Sequence, residues 1–119
     1  AEGVSKCVLS LHLTFKDYKF NSMNVEQMIP ASGQAADLMK SLSHPQRLLV
    51  LCALGGEERS VGELRDMLSI DQVSQQLMRL RADGLVEARR EGTTVFYRIA
   101  RPEVLAVIEA LHQAFCPTG

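Results

Sequence analysis

The sequence lacks the segments that mark membrane and secreted proteins. No apolar run approaches the roughly 20 residues that a membrane-spanning helix needs. No charged start leads into an apolar stretch and a small-residue cleavage site, as a secretion signal would. These absences favour a cytoplasmic protein. The 119 residues, 46% of them hydrophobic, suit one compact domain with a modest core.

A catalytic constellation is also missing. The histidines His12, His44 and His112 are scattered along the chain. The sequence contains no glycine loop of the kind that cradles phosphates, and no serine or cysteine stands in a nucleophile motif. We therefore expect no enzyme and no cofactor, with a thiol-based enzyme as the remote alternative.

The chain has no overall excess of positive charge, since its formal net charge is −1. This weighs against a nonspecific coat on nucleic acid, because phosphate neutralisation rewards basic charge. The distribution is uneven, however. Between Arg79 and Arg101 there are six arginines against three acidic residues, which gives this region alone a charge of +3.

The region that includes this basic segment is predicted to contain a pair of short helices. Ser60 and Glu63 have capping-box spacing, and Val61, Leu64 and Leu68 follow on one helical face. The spacing predicts a first short helix that begins after Ser60.

A second helix is predicted after Asp71, which can cap its start, and Gly84 can end it. Its inward stripe is Val73, Leu77 and Leu80. The opposite face is polar and carries side chains that can hydrogen-bond base edges and phosphates in a major groove. An ordinary solvated surface is the alternative for such a face. The residues that we expect to contact DNA from this helix are Gln72, Ser74, Gln75, Gln76 and Arg79.

Two strands are predicted directly after the helix pair. They are 85–89 and 94–99, joined by the loop 90–93, which contains Gly92. Arg89 and Arg90 near this loop are expected to contact phosphate or the adjacent minor groove. The order of helix, turn, helix and hairpin predicts a mainly α fold with a small β-hairpin, a winged helix-turn-helix that reads double-stranded DNA.

Three further helices surround this unit in our prediction. Pro30 interrupts any helix begun near Asn24, and a firmer helix follows it. Pro45 opens a second helix, apolar all round and therefore central, which Gly55 ends. Pro102 opens the last helix, whose two apolar stripes exceed what a monomer of this size must bury and so suggest a partner. The residues expected to build core and dimer interface together are Leu38, Met39, Val104, Ile108, Leu111 and Phe115.

The first 22 residues are treated apart from the domain predicted over 23–119. Apolar residues alternate with polar ones from Leu9 to Lys16, which predicts a half-buried strand. Met23 could instead be the natural start, and residues 1–22 would then be a leader or an added segment. Cys7 lies here and is given no role.

Five runs in fixed order carry a resemblance to a known family. They are His44–Cys52, Ser60–Leu64, Val73–Leu77, Leu80–Val86 and Arg89–Gly92. With these motifs, the chain from about Met23 to Cys116 resembles the ArsR family of dimeric winged-helix repressors. It departs from the family pattern between Leu68 and Val73, where it is about two residues shorter.

The resemblance also suggests what the protein senses. Cys52, in the helix after His44-Pro45, and Cys116, near the C-terminus, resemble the cysteine pair of BigR/SqrR-type repressors, which respond to sulfide-derived persulfides. It implies a homodimer that binds operator DNA less tightly once these two sensing thiols are bridged by sulfur, with reactive sulfur species as inducer. The alternatives are a disulfide oxidant, arsenic or a metal as inducer, or no cysteine sensing at all. No metal site is expected on the first helix of the reading motif, because it contains neither cysteine nor histidine.

Overall fold

The computed structural model describes residues 23–70 and 72–116, which form six helices and a three-stranded antiparallel sheet. The elements in chain order are α1 (Val25–Met28), α2 (Ser32–Leu42), α3 (Pro45–Leu54), β1 (Arg59–Ser60), α4 (Val61–Leu68), α5 (Val73–Ala82), β2 (Val86–Glu91), β3 (Thr94–Ile99) and α6 (Pro102–Phe115). This architecture confirms the predicted mainly α fold with a small hairpin. The strand expected near Leu9, together with Cys7 and Asp71, lies outside the described residues.

Helix α3 is the centre of the fold. Pro45 occupies its first turn, and Gly55 ends it with a φ of +54°, a conformation that glycine adopts without strain. The helix packs against α2, α4, α5, α6 and β3. Val50, Leu51 and Leu54 are buried, as expected for a central helix. Not all of its apolar side chains are buried, since Cys52 is exposed.

The helix pair α4 and α5 is fixed by local signals at three of its four ends. The Ser60 hydroxyl accepts a hydrogen bond from the Glu63 backbone N–H at 3.1 Å, and the Glu63 carboxylate accepts one from the Ser60 N–H at 3.0 Å. This confirms the predicted capping box. Helix α4 ends at Ser69 in the left-handed region. The N-cap position of α5 is Gln72, one residue later than predicted, and its side chain makes no capping bond.

The end of α5 is a Schellman motif. Gly84 has a φ of +76°, its N–H donates to the Arg81 carbonyl at 3.0 Å, and the Leu85 N–H donates to the Leu80 carbonyl at 2.9 Å. The prediction that Gly84 ends this helix is confirmed. The motif turns the chain directly into β2.

Strands β2 and β3 form the wing. They pair from Val86 with Ile99 to Glu91 with Thr94, so the turn is shorter than the predicted loop. Its first residue, Gly92, has a φ of +63°, which suits a two-residue hairpin turn. The short strand β1, which the sequence did not predict, pairs with β3 on the other side and places β3 in the centre of the sheet.

The last helix, α6, closes the core. Val104 and Ile108 are buried against the central cluster. Phe115, on the same predicted stripe, is 65% exposed. None of the helices in 23–70 and 72–116 has the length and apolar character that crossing a bilayer would demand.

Candidate DNA interface and thiol site

The outer face of α5 carries most of the side chains expected to contact DNA. Gln72, Gln75 and Arg79 are exposed there. Ser74 is half-buried, and its hydroxyl accepts a hydrogen bond from the Arg65 guanidinium of α4 at 3.1 Å. Met78 is also exposed on this helix, at 69%. The sequence did not predict it as a contact, because only polar side chains were considered for DNA binding.

Gln76 is not part of the exposed outer face of α5, and the prediction that it faces outward is wrong. Its side chain is only 8% exposed. Its amide oxygen accepts from Arg47 at 3.3 Å, and its amide nitrogen donates to Gln46 at 3.2 Å. Gln76 lies at the edge of the outer face, next to the start of α3. There Arg47 and Gln46 are its hydrogen-bond partners. It therefore joins the reading helix to the central helix.

Arg79 extends from the outer face toward the end of its own helix. Its guanidinium lies 3.7 Å from the Asp83 carboxylate, and 63% of its side chain remains exposed. Asp83 also accepts a hydrogen bond from the Ser41 hydroxyl of α2 at 3.0 Å. An exposed pair of this kind is weak. Arg79 can therefore exchange Asp83 for a phosphate or a base at little cost.

The two wing arginines have different surroundings. Arg89 makes two hydrogen bonds to Glu58, at 3.0 and 2.9 Å, and one to Glu91 at 2.8 Å. Its guanidinium also lies 5.0 Å from the centroid of the Phe96 ring. The hydrogen bond from Arg89 holds the pKa of the Glu58 carboxyl below its ordinary value. Arg90, which pairs with Val95 across the hairpin, is exposed.

The residues expected at a dimer interface divide into two groups. Leu38, Val104 and Ile108 are buried within this one chain, so they are core residues and offer a partner almost no surface. Met39 is 49% exposed, Phe115 is 65% exposed and Leu111 is half-buried. Helix α1 and the loop after it expose further large apolar side chains, namely Val25, Met28 and Ile29.

Cys52 and Cys116 belong to helices α3 and α6, which pack together. Cys52 is on α3, and Cys116 caps the end of α6, where its N–H donates to the His112 carbonyl at 2.9 Å. Cys52 also lines a cleft of about 290 Å³ between these helices, together with Ile108 and His112.

The surroundings of Cys52 affect its thiol. The pKa of the Cys52 thiol is raised, first by partial burial of the sulfur in the cleft and second by the charge of Cys116. Both causes disfavour the thiolate form of Cys52. A smaller thiolate fraction makes Cys52 less nucleophilic than an ordinary cysteine at the same pH.

Among residues 23–70 and 72–116, no three histidine, cysteine or acidic side chains are grouped so that they could hold a metal ion. Soft metals generally require several such ligands.

Comparison with known proteins agrees with the fold. Residues 44–88 match the sequence profile of bacterial regulatory proteins of the arsR family. The transcriptional activator HlyU of Vibrio cholerae is 45% identical over 96 residues, which cover 79% of this chain and 89% of that protein. The biofilm growth-associated repressor of Xylella fastidiosa is 40% identical over 103 residues, covering 85% and 90% respectively.

Solved structures show the same relationship. The transcriptional repressor BigR from Xylella fastidiosa superposes with a TM-score of 0.75 at 41% identity, over 81% of this chain and all of that one (100%). The transcriptional regulator HlyU from Vibrio vulnificus gives a TM-score of 0.71 at 43% identity, over 79% of this chain and 100% of its own. These relatives are named as transcriptional regulators, not as enzymes. The chain therefore belongs to the arsR family of bacterial regulatory proteins and is a transcriptional regulator with a winged helix-turn-helix fold.

Proposed function

We propose that this regulator is a homodimeric repressor that releases its operator when Cys52 and Cys116 are bridged by sulfur. The observation that carries the proposal is the placement of the two cysteines, one on the central helix α3 and one at the end of α6, which packs against it. A sulfur link between these positions would join α6 directly to α3.

The reading surface in this proposal is the outer face of α5. Gln72, Ser74, Gln75 and Arg79 enter the major groove, where amide and guanidinium groups discriminate base edges. From the wing, Arg90 contacts phosphate. Arg89 contributes mainly by bracing the wing, since its donors already serve two carboxylates.

A homodimer would explain the apolar surface that one chain leaves exposed. Met39, Leu111 and Phe115, with the neighbouring apolar residues of α1, supply the contacts in our proposal. A two-fold dimer would hold two α5 helices about one DNA turn, ~34 Å, apart, as paired half-sites require. The operator is then an inverted repeat.

The bridging reaction can be written with a low-molecular-weight persulfide, R–S–SH, as the sulfur donor. Each cysteine thiolate attacks the terminal sulfur of one donor and becomes a persulfide, while R–SH leaves. The persulfide anion on one cysteine then attacks the inner sulfur of the other persulfide and expels HS⁻. The product is a trisulfide between Cys52 and Cys116, and a reducing thiol can reverse it by exchange.

The extra sulfur makes the link tolerant of distance. A direct disulfide requires the two Cα atoms to be within roughly 7 Å. A trisulfide spans a longer gap, so a pair held slightly too far apart accepts persulfide donors and resists simple disulfide oxidants. This spacing would make the response selective for sulfur donors.

The link can reach the DNA surface through the central helix. Helix α3 packs against α6, which carries Cys116, and also against the reading helix α5. A link that shifts α6 on α3 therefore moves both the dimer contacts and the support of α5. A preference of about 1.4 kcal/mol for the shifted arrangement is enough to lower operator affinity tenfold.

Mass spectrometry of the reduced protein tests the chemistry. Parallel samples receive sodium tetrasulfide, a disulfide oxidant or peroxide, and are digested with trypsin without reduction. We expect the peptide containing Cys52 to be joined to the peptide containing Cys116, with extra sulfur mass, in the tetrasulfide sample. A cross-link of equal yield without added sulfur in the other samples would show a general redox switch, and no link under any treatment would refute cysteine sensing. Cys7→Ser is the matched control and should give the same cross-link as the parent protein.

Whether the protein represses or activates transcription is a separate part of the proposal. The Vibrio cholerae relative is named an activator, whereas the Xylella relatives are named repressors. A reporter fused to the regulated promoter distinguishes them, because deletion of a repressor raises expression and deletion of an activator lowers it. We expect expression to rise.

A further inference from the structure

Met78 is an exposed apolar side chain in the middle of the reading face. It is 69% exposed, whereas Val73, Leu77 and Leu80 of the same helix are fully buried. It lies one helical turn after Gln75 and directly before Arg79, both of them exposed. Its side chain therefore has no role in the core of this chain.

The surroundings of Met78 also make it a poor site for docking another protein. Its large neighbours on the outer face of α5 are polar or charged, Ala82 being the one small apolar neighbour, and a hydrophobic interface needs a contiguous apolar patch. The exposed apolar side chains that we assign to the dimer lie on α1, α2 and α6 and not on α5. A single apolar group flanked by an amide and a guanidinium instead suits a surface that is itself mostly polar with isolated apolar points.

The DNA major groove is a surface of this kind. Its base edges present hydrogen-bond donors and acceptors, and the one apolar group among them is the C5-methyl of thymine. Methionine is flexible and polarisable, so its side chain can follow the position of a methyl group. We infer that Met78 determines part of the operator specificity by packing against the 5-methyl group of a thymine. This inference rests on the proposed binding of DNA by α5.

The position of that thymine follows from the geometry of the helix. Gln75 and Met78 are three residues apart, a rise of about 4.5 Å along the helix axis. Successive bases on one strand are spaced by about 3.4 Å. The thymine should therefore lie within about one or two base pairs of the base that Gln75 contacts. Burial of a single methyl group corresponds to about a fourfold change in affinity for each half-site.

The test removes the methyl group and the methionine separately and together. An operator is first selected from random DNA with the parent protein. Each thymine of one half-site is then replaced by deoxyuridine, which lacks only the methyl group. Affinity is measured at fixed salt for the parent, for Met78→Ala and for Met67→Ala, a control at an exposed methionine on α4.

We expect one thymine position at which deoxyuridine weakens the parent and Met67→Ala about fourfold but leaves Met78→Ala unaffected. If every deoxyuridine substitution weakens Met78→Ala as much as the parent, or if the selected half-site contains no thymine, the inference is overturned while DNA binding stands. If the parent selects no sequence at all, the proposed function fails together with the inference.

Discussion

At the scale of single residues, the side chains of the reading surface divide by whether the fold already uses them. Gln75 is exposed, whereas Gln76 holds two side chains of α3. Arg90 is exposed, whereas Arg89 is held by two carboxylates and an aromatic ring. Neighbouring residues of the same type therefore make matched pairs for mutation.

The first pair is Gln75→Ala and Gln76→Ala. Gln76→Ala removes one hydrogen bond from each of Arg47 and Gln46, although Arg47 keeps its bond to the Ser41 carbonyl, and we expect it to lower the free energy of unfolding by about 1–3 kcal/mol. Gln75→Ala should leave that free energy unchanged and weaken operator binding by about 1–3 kcal/mol, the worth of a good base contact. Urea unfolding and fluorescence anisotropy with operator DNA measure the two effects. Equal stability of the two variants would contradict the assignment of Gln76.

The second pair is Arg90→Ala and Arg89→Ala. Loss of a phosphate contact at Arg90 should weaken binding to all DNA sequences alike and reduce the salt slope by about 0.9 per site. Arg89→Ala should instead loosen the wing, which hydrogen exchange of the β2 and β3 amides would detect. If Arg90→Ala changes only the affinity for the specific operator, the proposed phosphate contact is wrong.

The raised pKa of the Cys52 thiol gives a pH-dependent prediction. Because alkylation requires the thiolate, the rate of iodoacetamide modification at Cys52 should keep rising above the pH at which an ordinary cysteine levels off. Cys116→Ser removes the smaller of the two causes, so the whole rate curve should move to lower pH, while burial keeps it above that of an ordinary cysteine. Mass spectrometry of the tryptic peptide spanning residues 48–59 follows this site separately. An unchanged curve in Cys116→Ser would show that the two sulfurs do not interact.

At the scale of elements, most boundaries follow from local signals in the sequence. The capping box at Ser60, the proline at the start of α3 and the glycine at the end of α5 each act within one turn, so the sequence predicted them correctly. Strand β1 is two residues long and exists only because β3 pairs with it, a contact that no local pattern encodes.

The outcomes that the sequence missed depend on partners that lie far along the chain. The burial of Gln76 depends on residues of α3, and the bracing of Arg89 depends on Glu58, 31 positions earlier. Periodicity assigns a residue to a face of a helix, but it cannot tell which neighbouring element covers the edge of that face. Met78 was missed for a different reason. Only polar residues of α5 were considered for the reading face, and methionine is apolar.

For the molecule as a whole, the proposed mechanism requires a dimer. Phe115→Glu places a charge within the proposed apolar contact, so we expect it to favour the monomer and to weaken operator binding by losing the second half-site. Phe115→Leu, which keeps an apolar side chain, is the control and should remain dimeric. Sedimentation velocity at micromolar concentration checks both. If the parent protein sediments as a stable monomer, the proposed homodimer is wrong.

The central claim is that a sulfur bridge between Cys52 and Cys116 releases DNA, and operator binding under persulfide treatment tests it most directly. Fluorescence anisotropy at fixed salt is recorded for the parent, Cys52→Ser, Cys116→Ser and Cys7→Ser before treatment, after treatment and after addition of a reducing thiol. We expect the parent and Cys7→Ser to lose affinity at least tenfold and to recover it on reduction, while the other two variants stay bound throughout. Release of Cys52→Ser or Cys116→Ser as readily as the parent would contradict the dithiol mechanism.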